Sequence, residues 1–172
     1  DTQQRYIMLM SPSIGIDNPA KYAVAQAFRA LGDTEGSTFF WELVETGLAE
    51  EASMHLQSHD GCGEAIATLV CGSENAEEVE AIARREMSRL AETVDEDALI
   101  RSRAKIATAA MLASERPMGR MTRLGSRWSY QLPYATLDHE IEQIGAVTPA
   151  DIHAYLDAHP LGVGGQLAEH HP

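Results

Sequence analysis

The sequence lacks the long apolar segment that a membrane-spanning protein needs. No run of about 18 apolar residues occurs in its 172 residues, and the N-terminal Asp-Thr-Gln-Gln-Arg has no basic segment followed by an apolar one. We therefore expect a soluble chain with no transmembrane helix, its targeting signal absent or removed. The length suffices for one domain with a real core and argues against two full domains.

Basic side chains are scarce. Lysine and arginine together number 13 against 26 aspartates and glutamates, so the formal net charge is −13. The acidic residues are spread along the chain and form no block of like charges. A surface with this charge repels nucleic acid and anionic lipid. The composition therefore predicts partners other than nucleic acids and membranes.

Cysteine is also rare, and the two cysteines, Cys62 and Cys71, bracket one predicted strand. Nine residues of extended chain separate them by roughly 30 Å. A disulfide requires Cα atoms within about 7 Å, so we expect two free thiols. The compartment stays open, because a reducing cytosol and a cysteine-poor exported protein both fit.

The catalytic motifs of the common hydrolases are missing. Neither H-E-x-x-H nor H-x-x-E-H occurs, and Gln143 occupies the position where a second ligand would follow His139. His55 and His59 lie about 13 Å apart if their segment is extended, which is too far for one metal ion. No G-x-S-x-G occurs, and no cysteine has a basic neighbour that would activate it. The sequence predicts no catalytic residue and no metal site in this chain.

Residues 3–10 alternate well enough for a first strand. Tyr6, Met8 and Met10 fall on one side, and Ile7 and Leu9 fall on the other. Apolar side chains on both sides predict a central strand that is covered on both faces.

Helix and strand signals follow in order. Asn18-Pro19 predicts the start of a helix that ends at Gly32, and Ser37 predicts the start of a short helix that stops at Gly47. Alternation around Met54 and the apolar run at 64–71 predict two strands joined as an antiparallel hairpin.

The second half of the chain has helical periodicity. Thr93 with Glu96 predicts a capping box for a long helix that ends near Pro117, and Thr148 predicts the cap of the last helix. A set of methionine and aromatic side chains is predicted to be core: Met111, Met118, Met121, Trp128 and Tyr130. The fold class expected is α+β, with an antiparallel sheet covered by helices. We predict one domain over residues 1–160 and a loose tail over 161–172.

Several segments together resemble the C-terminal type of domain in the M16 metallopeptidases, the family of pitrilysin, insulin-degrading enzyme and the mitochondrial processing peptidase. The segment "STFFWELVETGLAEEA" is similar to the family's S-R-L-x-x-x-V-R-E-x-x-G-L-A-Y. Four other segments resemble family elements in the same order: "DTQQRYIMLM", "DNPAKYAVAQAFRALGD", "VDEDALIRSRAKIATAAMLASERPMGRMTRLG" and "IGAVTPADIHAYL". The resemblance runs from about residue 2 to residue 158.

The resemblance implies a LuxS/MPP-like metallohydrolase fold whose sheet faces an enclosed chamber. It also implies a zinc-bearing N-terminal-type domain, in the same or another chain, that carries H-x-x-E-H and cuts the peptide substrate. The parent protein would be a zinc metalloendopeptidase, and this chain would be its inactive half, without zinc of its own. A bacterial cytoplasm or periplasm would fit such a protein.

The family's substrate-orienting arginine and tyrosine are both replaced. Alignment on Gly47-Leu48-Ala49 puts Leu43 at the arginine position and Glu50 at the tyrosine position. Leucine makes no bidentate contact, and a carboxylate disfavours a developing oxyanion. We expect Leu43 and Glu50 to line the substrate chamber, with the hydrophobic core as the alternative for Leu43, which also fits the apolar stripe of its helix.

Three functions stay open at this point. The first is the non-catalytic C-terminal domain of an M16-like peptidase, which holds peptide and pairs with the zinc-bearing domain. The second is a degenerate, peptidase-derived scaffold without proteolysis, and the third is a free-standing acidic α+β interaction module. A homodimer is a further alternative for its assembly.

Overall fold

The computed structural model describes residues 4–161 of the chain. Its sheet has three antiparallel strands, β1 (Gln4–Ser13), β2 (Ala49–Ser58) and β3 (Gly63–Gly72), in the spatial order β1-β3-β2. The predicted α+β class and the β2–β3 hairpin are confirmed. The predicted central position of the first strand is wrong, because β3 lies in the middle and β1 forms an edge.

Helices account for most of the rest of the chain. They are α1 (Lys21–Gly32), α2 (Ala76–Ser88), α3 (Leu90–Thr93), α4 (Glu96–Glu115), α5 (Pro117–Ser129), α6 (Leu137–Ala146) and α7 (Pro149–Ala158), with a short π-helical segment at Phe40–Val44 and one 3₁₀ turn at Ser73–Asn75. Among residues 4–161, no helix has the length and apolar character needed to cross a bilayer.

Only one face of the sheet belongs to the core. Ile7 and Leu9 of β1 are buried and stand opposite Leu69 and Ala67 of β3. The intervening side chains of β1 are exposed: Tyr6, Met8 and Met10. The expectation that both faces of β1 are covered is therefore wrong, and the apolar residues on its second face contact solvent.

Two helix starts differ from their predicted residues. Helix α1 begins at Lys21, while the Asn18 carboxamide oxygen accepts a 2.9 Å hydrogen bond from the Ala20 N–H in the preceding turn. Helix α4 is capped by Asp95, whose carboxylate accepts a 2.8 Å hydrogen bond from the Ala98 N–H. Thr93 instead ends α3, so the predicted capping box with Glu96 is wrong. Asp95 lies two residues after Thr93, and its carboxylate is a better N-cap acceptor than the threonine hydroxyl.

The short helix after Ser37 starts and stops as predicted but has a wider turn. The Ser37 hydroxyl accepts a 3.1 Å hydrogen bond from the Phe40 N–H, and the Glu45 N–H donates to the Phe40 carbonyl at 2.8 Å, five residues back. The segment ends at Val44, and a turn leads from it to Gly47, whose φ of +75° is a conformation that favours glycine.

The methionine and aromatic side chains assigned to the core lie elsewhere. Met111, Met118, Met121 and Trp128 are all exposed, and Tyr130 is half-buried. The prediction is wrong because helix α5 has no buried residue, and α4, which carries Met111, has none after Ser102. The predicted tail begins at residue 161, and all of it after Leu161 lies outside the described residues.

The last helix begins with the predicted cap. Asp151 accepts hydrogen bonds from the Thr148 N–H at 2.8 Å and the Thr148 hydroxyl at 2.7 Å, which lower the pKa of the Asp151 carboxyl. The pKa of Asp151 is thus lower in the folded chain than in the unfolded chain, where it is about 3.9. The ionised carboxylate therefore makes its full contribution to stability at pH values above about 3.9. This contribution is lost as the pH falls through the pKa of the folded chain.

We expect Thr148→Ala to lower the free energy of unfolding by about 1 kcal/mol at pH 7. Asp151→Asn should also be less stable than the wild type at pH 7, and this difference should shrink as the pH falls below about 4. Urea denaturation at a series of pH values measures both effects. A wild-type advantage that stays constant down to pH values near 3 would contradict the role of the ionised carboxylate.

Candidate functional site

The candidate site is the face of the sheet that points away from the core, called here the outer face. On β1 it carries Tyr6, Met8 and Met10, which are 50%, 36% and 38% exposed. Their partners on β3 are Val70, Thr68 and Ile66. Val70 and Ile66 lie outside the core cluster that fills the opposite face, but in the central strand they are only 8% and 7% exposed. The result is an apolar surface on β1 and β3 that is open at its β1 edge.

The β2 side of the outer face is polar. Glu51, Ser53 and His55 pair with Val70, Thr68 and Ile66 across the same rows of the sheet. Glu51 and His55 are exposed and Ser53 is half-buried. The outer face therefore changes from apolar to polar across a distance of two strands, roughly 10 Å.

Glu50 stands at a bulge at one end of this face. The register between β2 and β3 shifts between Ala49 and Glu51, which leaves Glu50 without a partner in the ladder. Its carboxylate accepts a 2.6 Å hydrogen bond from the side-chain amide of Gln4 on the opposite edge strand. The Tyr6 hydroxyl donates in turn to the side-chain oxygen Oε1 of Gln4 at 3.5 Å. Glu50, Gln4 and Tyr6 thus form a polar group beside the apolar surface.

Leu43 does not lie on this face. Its side chain has no exposed surface and belongs to the core cluster between the π-helical segment and the sheet. Of the two positions considered for Leu43, the structure favours the core. The two residues at the family's arginine and tyrosine positions are therefore separated, one inside the core and one on the surface.

Cys71 lies at the Glu50 end of the sheet, but its side chain belongs to the core cluster on the opposite face. Burial, with the nearby Glu74 and Glu50 carboxylates, raises the pKa of the Cys71 thiol, which disfavours the thiolate that a nucleophile needs. The exposed carboxylate of Glu50 is a hydrogen-bond acceptor. The outer face thus offers apolar contacts and a hydrogen-bond acceptor side by side.

The side chains of residues 4–161 do not suit a zinc ion. Within residues 4–161, no three histidine, cysteine or acidic side chains come together as a set of ligands. His59 has one carboxylate neighbour, Glu64, at 3.5 Å, and His139 has one, Glu142, at 3.9 Å. A structural or catalytic zinc site takes at least three protein ligands, so neither pair suffices.

Sequence reasoning missed Gln4 and the openness of the outer face. Gln4 and Glu50 are 46 residues apart, and only the order β1-β3-β2 brings the two edge strands to either side of β3. The alternation of Tyr6, Met8 and Met10 was the available signal, but alternation alone does not say which face is covered.

Comparison with known proteins gives one family. Residues 1–106 match the family described as the peptidase M16 inactive domain. No curated protein matches the sequence.

Solved structures share the fold at low sequence identity. A candidate zinc protease from Bordetella pertussis Tohama I superposes with a TM-score of 0.82 at 15% identity, over 100% of this chain and 97% of that one. A peptidase M16 inactive domain from Pseudomonas fluorescens gives 0.81 at 19% identity, over 91% and 38%. A chain of complex III2 from Candida albicans gives 0.81 at 14% identity, over 91% and 40%. The chain thus spans about two fifths of the length of the last two.

Proposed function

The chain belongs to the family of the peptidase M16 inactive domain, and on this basis we propose that it is the non-catalytic wall of a peptide-binding chamber. In this proposal it pairs with an N-terminal-type M16 domain, in the same or another chain, that holds the zinc ion and cuts the peptide. The chain itself contributes surface, shape and charge. The parent protein is then a zinc metalloendopeptidase.

The exposed apolar outer face is the observation that supports the proposal. Soluble proteins rarely leave large apolar side chains side by side on an open sheet unless a ligand or partner covers them. Side chains of an extended peptide would pack against the exposed side chains of Tyr6, Met8 and Met10. A basic or N–H group of the peptide would meet the carboxylate of Glu50. The acidic charge of the whole chain would favour peptides that carry lysine and arginine.

The loss of both substrate-orienting residues supports a second candidate within the same fold. With Leu43 in the core and Glu50 at the bulge, neither residue offers the contacts of a guanidinium or a phenol. A degenerate scaffold that holds peptide without cutting it needs neither contact. H-x-x-E-H in the partner domain distinguishes the enzyme from the scaffold.

A labelled, unstructured peptide rich in lysine and leucine tests the binding face. We expect it to bind the chain, with an increase in fluorescence anisotropy, and to bind Met8→Glu at least tenfold more weakly, because a charge then lies in the apolar surface. Met111→Glu is the matched control, since Met111 is also an exposed methionine but lies on helix α4, away from the outer face. Its affinity for the peptide should equal that of the wild type.

Two controls accompany this binding experiment. After dialysis the chain should carry no stoichiometric zinc, and mass spectrometry should find the peptide intact. Equal weakening by the two methionine substitutions would contradict the role of the outer face. One tight zinc per chain, or cleavage of the peptide, would contradict the non-catalytic role.

A further inference from the structure

A cleft lies between helix α1, helix α4 and the π-helical segment. Its volume is about 510 Å³, which is within the range of small-molecule binding sites. One face of α4 lines it with four residues at helical spacing: Ala98, Arg101, Ser102 and Lys105. We call this cavity the α4 cleft.

The aromatic part of the α4 cleft is formed by Phe40 and Trp41. The two rings meet edge to face, with their centroids 5.0 Å apart and an interplanar angle of 80°. Phe40 is half-buried, whereas Trp41 is 58% exposed. Gly36 also lines the cleft, and no atom lies within 4 Å of a Cβ built on it. An aromatic or large apolar side chain of a ligand therefore finds both a ring surface and space.

Three charged side chains of the α4 cleft satisfy one another. Lys105 donates to the Asp33 carboxylate at 2.8 Å and to the Glu35 backbone carbonyl at 2.7 Å. Arg29 lies 3.9 Å from the same Asp33 carboxylate. These contacts join α4 to the residues that follow α1, so they hold the lining of the cleft in place.

Two further charged side chains line the α4 cleft without a partner. Within residues 4–161, no hydrogen bond or ion pair reaches the Arg101 guanidinium or the Glu35 carboxylate. Both residues are exposed. Lys105 follows Arg101 by one helical turn and bonds to the backbone of Glu35, so one positive and one negative group are available to a ligand in the same cleft.

We propose that the α4 cleft binds a short peptide that has both termini free and an aromatic or large apolar side chain. The Arg101 guanidinium matches the terminal carboxylate, to which it can donate two parallel hydrogen bonds. The Glu35 carboxylate accepts hydrogen bonds from the terminal ammonium group. The apolar side chain of the peptide packs on Phe40 and Trp41.

A ligand with both charges fits the cleft better than a ligand with one. An anion would meet Arg101 but also the carboxylates of Asp33 and Glu35, and a cation would meet the three basic side chains of the lining. A single amino acid carries both charges, but it would leave much of the cleft empty. A peptide of two or three residues fills the volume and supplies both charges.

The α4 cleft is separate from the outer face of the sheet. Helix α1 lines the cleft with Arg29 and Ala30, and it packs Val24 and Leu31 into the core cluster on the opposite face of the sheet. The inference is therefore independent of the proposed peptide chamber, and each can fail without the other.

The probe is the tripeptide Ala-Ala-Phe, compared with an N-acetylated copy and a C-amidated copy. In a Trp128→Phe background, Trp41 is the remaining tryptophan and reports binding by a blue shift of its emission. We expect the tripeptide with free ends to bind, and each blocked copy to bind about tenfold more weakly, because each block removes one charged hydrogen bond.

Two variants assign the two termini of the peptide. Arg101→Gln should remove the difference in affinity between the free acid and the amide, and Glu35→Gln should remove the difference between the free amine and the acetylated copy. Arg120→Gln is the matched control, since Arg120 is an exposed arginine on helix α5, and it should leave all three affinities unchanged. Circular dichroism of each variant checks that the fold is retained.

Several results would overturn the proposal. Unchanged Trp41 emission at millimolar Ala-Ala-Phe, or equal affinity for the three peptides, would show that the cleft does not recognise the termini. An acetylated copy that binds as tightly as the free peptide would mark a site for anions, and an amide that does so would mark a site for cations. Weakening by Met8→Glu would assign the tripeptide to the outer face instead, whereas we expect that substitution to leave its affinity unchanged.

Discussion

Leu43→Arg should lower the free energy of unfolding by about 3–5 kcal/mol, because it places a guanidinium without a partner in the core. Leu43 has no exposed surface and is among the largest fully buried side chains. The substitution restores the residue type that the M16 family often has at this position. The expected loss of stability would show that position 43 is packed in the core of this chain, whereas the resemblance implies an arginine that faces the chamber in other family members.

Glu50→Tyr is the matched control, since it restores the second family residue at a surface position. Glu50 is exposed and stands at a bulge, so we expect a change within about 0.5 kcal/mol. Urea denaturation and thermal melting measure both variants. For a chain of this size, Leu43→Arg should lower the melting temperature by roughly 10 °C. A melting temperature close to the wild-type value would show that Leu43 leaves the core at little cost.

Gly32→Ala should destabilise the fold by about 1–3 kcal/mol through overpacking. At Gly32, the last residue of α1, a Cβ would lie 2.4 Å from the backbone nitrogen of Met54 and 2.7 Å from its Cβ. A Cβ atom does not approach non-bonded atoms that closely, so helix α1 and strand β2 would have to move apart. The hydrophobic contact that joins the helical layer to the sheet would be weakened along its length.

Gly125→Ala makes the same change at a glycine with free space around it. Because Gly125 lies inside helix α5 with no atom within 4 Å of a built Cβ, we expect a gain of up to about 1 kcal/mol from helix propensity. Urea denaturation of both variants gives the comparison. If both substitutions raised or both lowered the free energy of unfolding, the prediction would fail. Close packing of α1 on β2 would then not explain why position 32 is a glycine.

Local signals predicted the parts of the fold that depend on neighbouring residues. The Ser37 and Thr148 caps, the stop at Gly47 and the β2–β3 hairpin each rest on hydrogen bonds or turns within a few residues, and the structure has all of them. At the start of α4 the sequence pattern predicted Thr93 as the cap, whereas the structure has Asp95 there. The order of similar segments also predicted the family, because order along a chain is a property of the sequence.

The candidate site depended on contacts between distant residues. Glu50 was chosen by alignment, yet its partner Gln4 becomes visible only once β1 and β2 flank β3. Leu43 fitted both a chamber and a core because an apolar residue on a short helix satisfies either environment. Burial, which is a property of the whole fold, favours the core.

The sequence by itself determined the α+β class, the family and the absence of a zinc-binding motif, since these rest on composition, periodicity and the order of motifs. Only the tertiary structure decided that β1 is an edge strand and that Met8 and Trp128 face solvent. The physical reason is that removing an apolar side chain from water is favourable wherever it happens. Which element or partner covers that side chain depends on the surfaces that come together in space. Two apolar surfaces of this chain, on the sheet and on α5, therefore face solvent although their residues alone would favour burial.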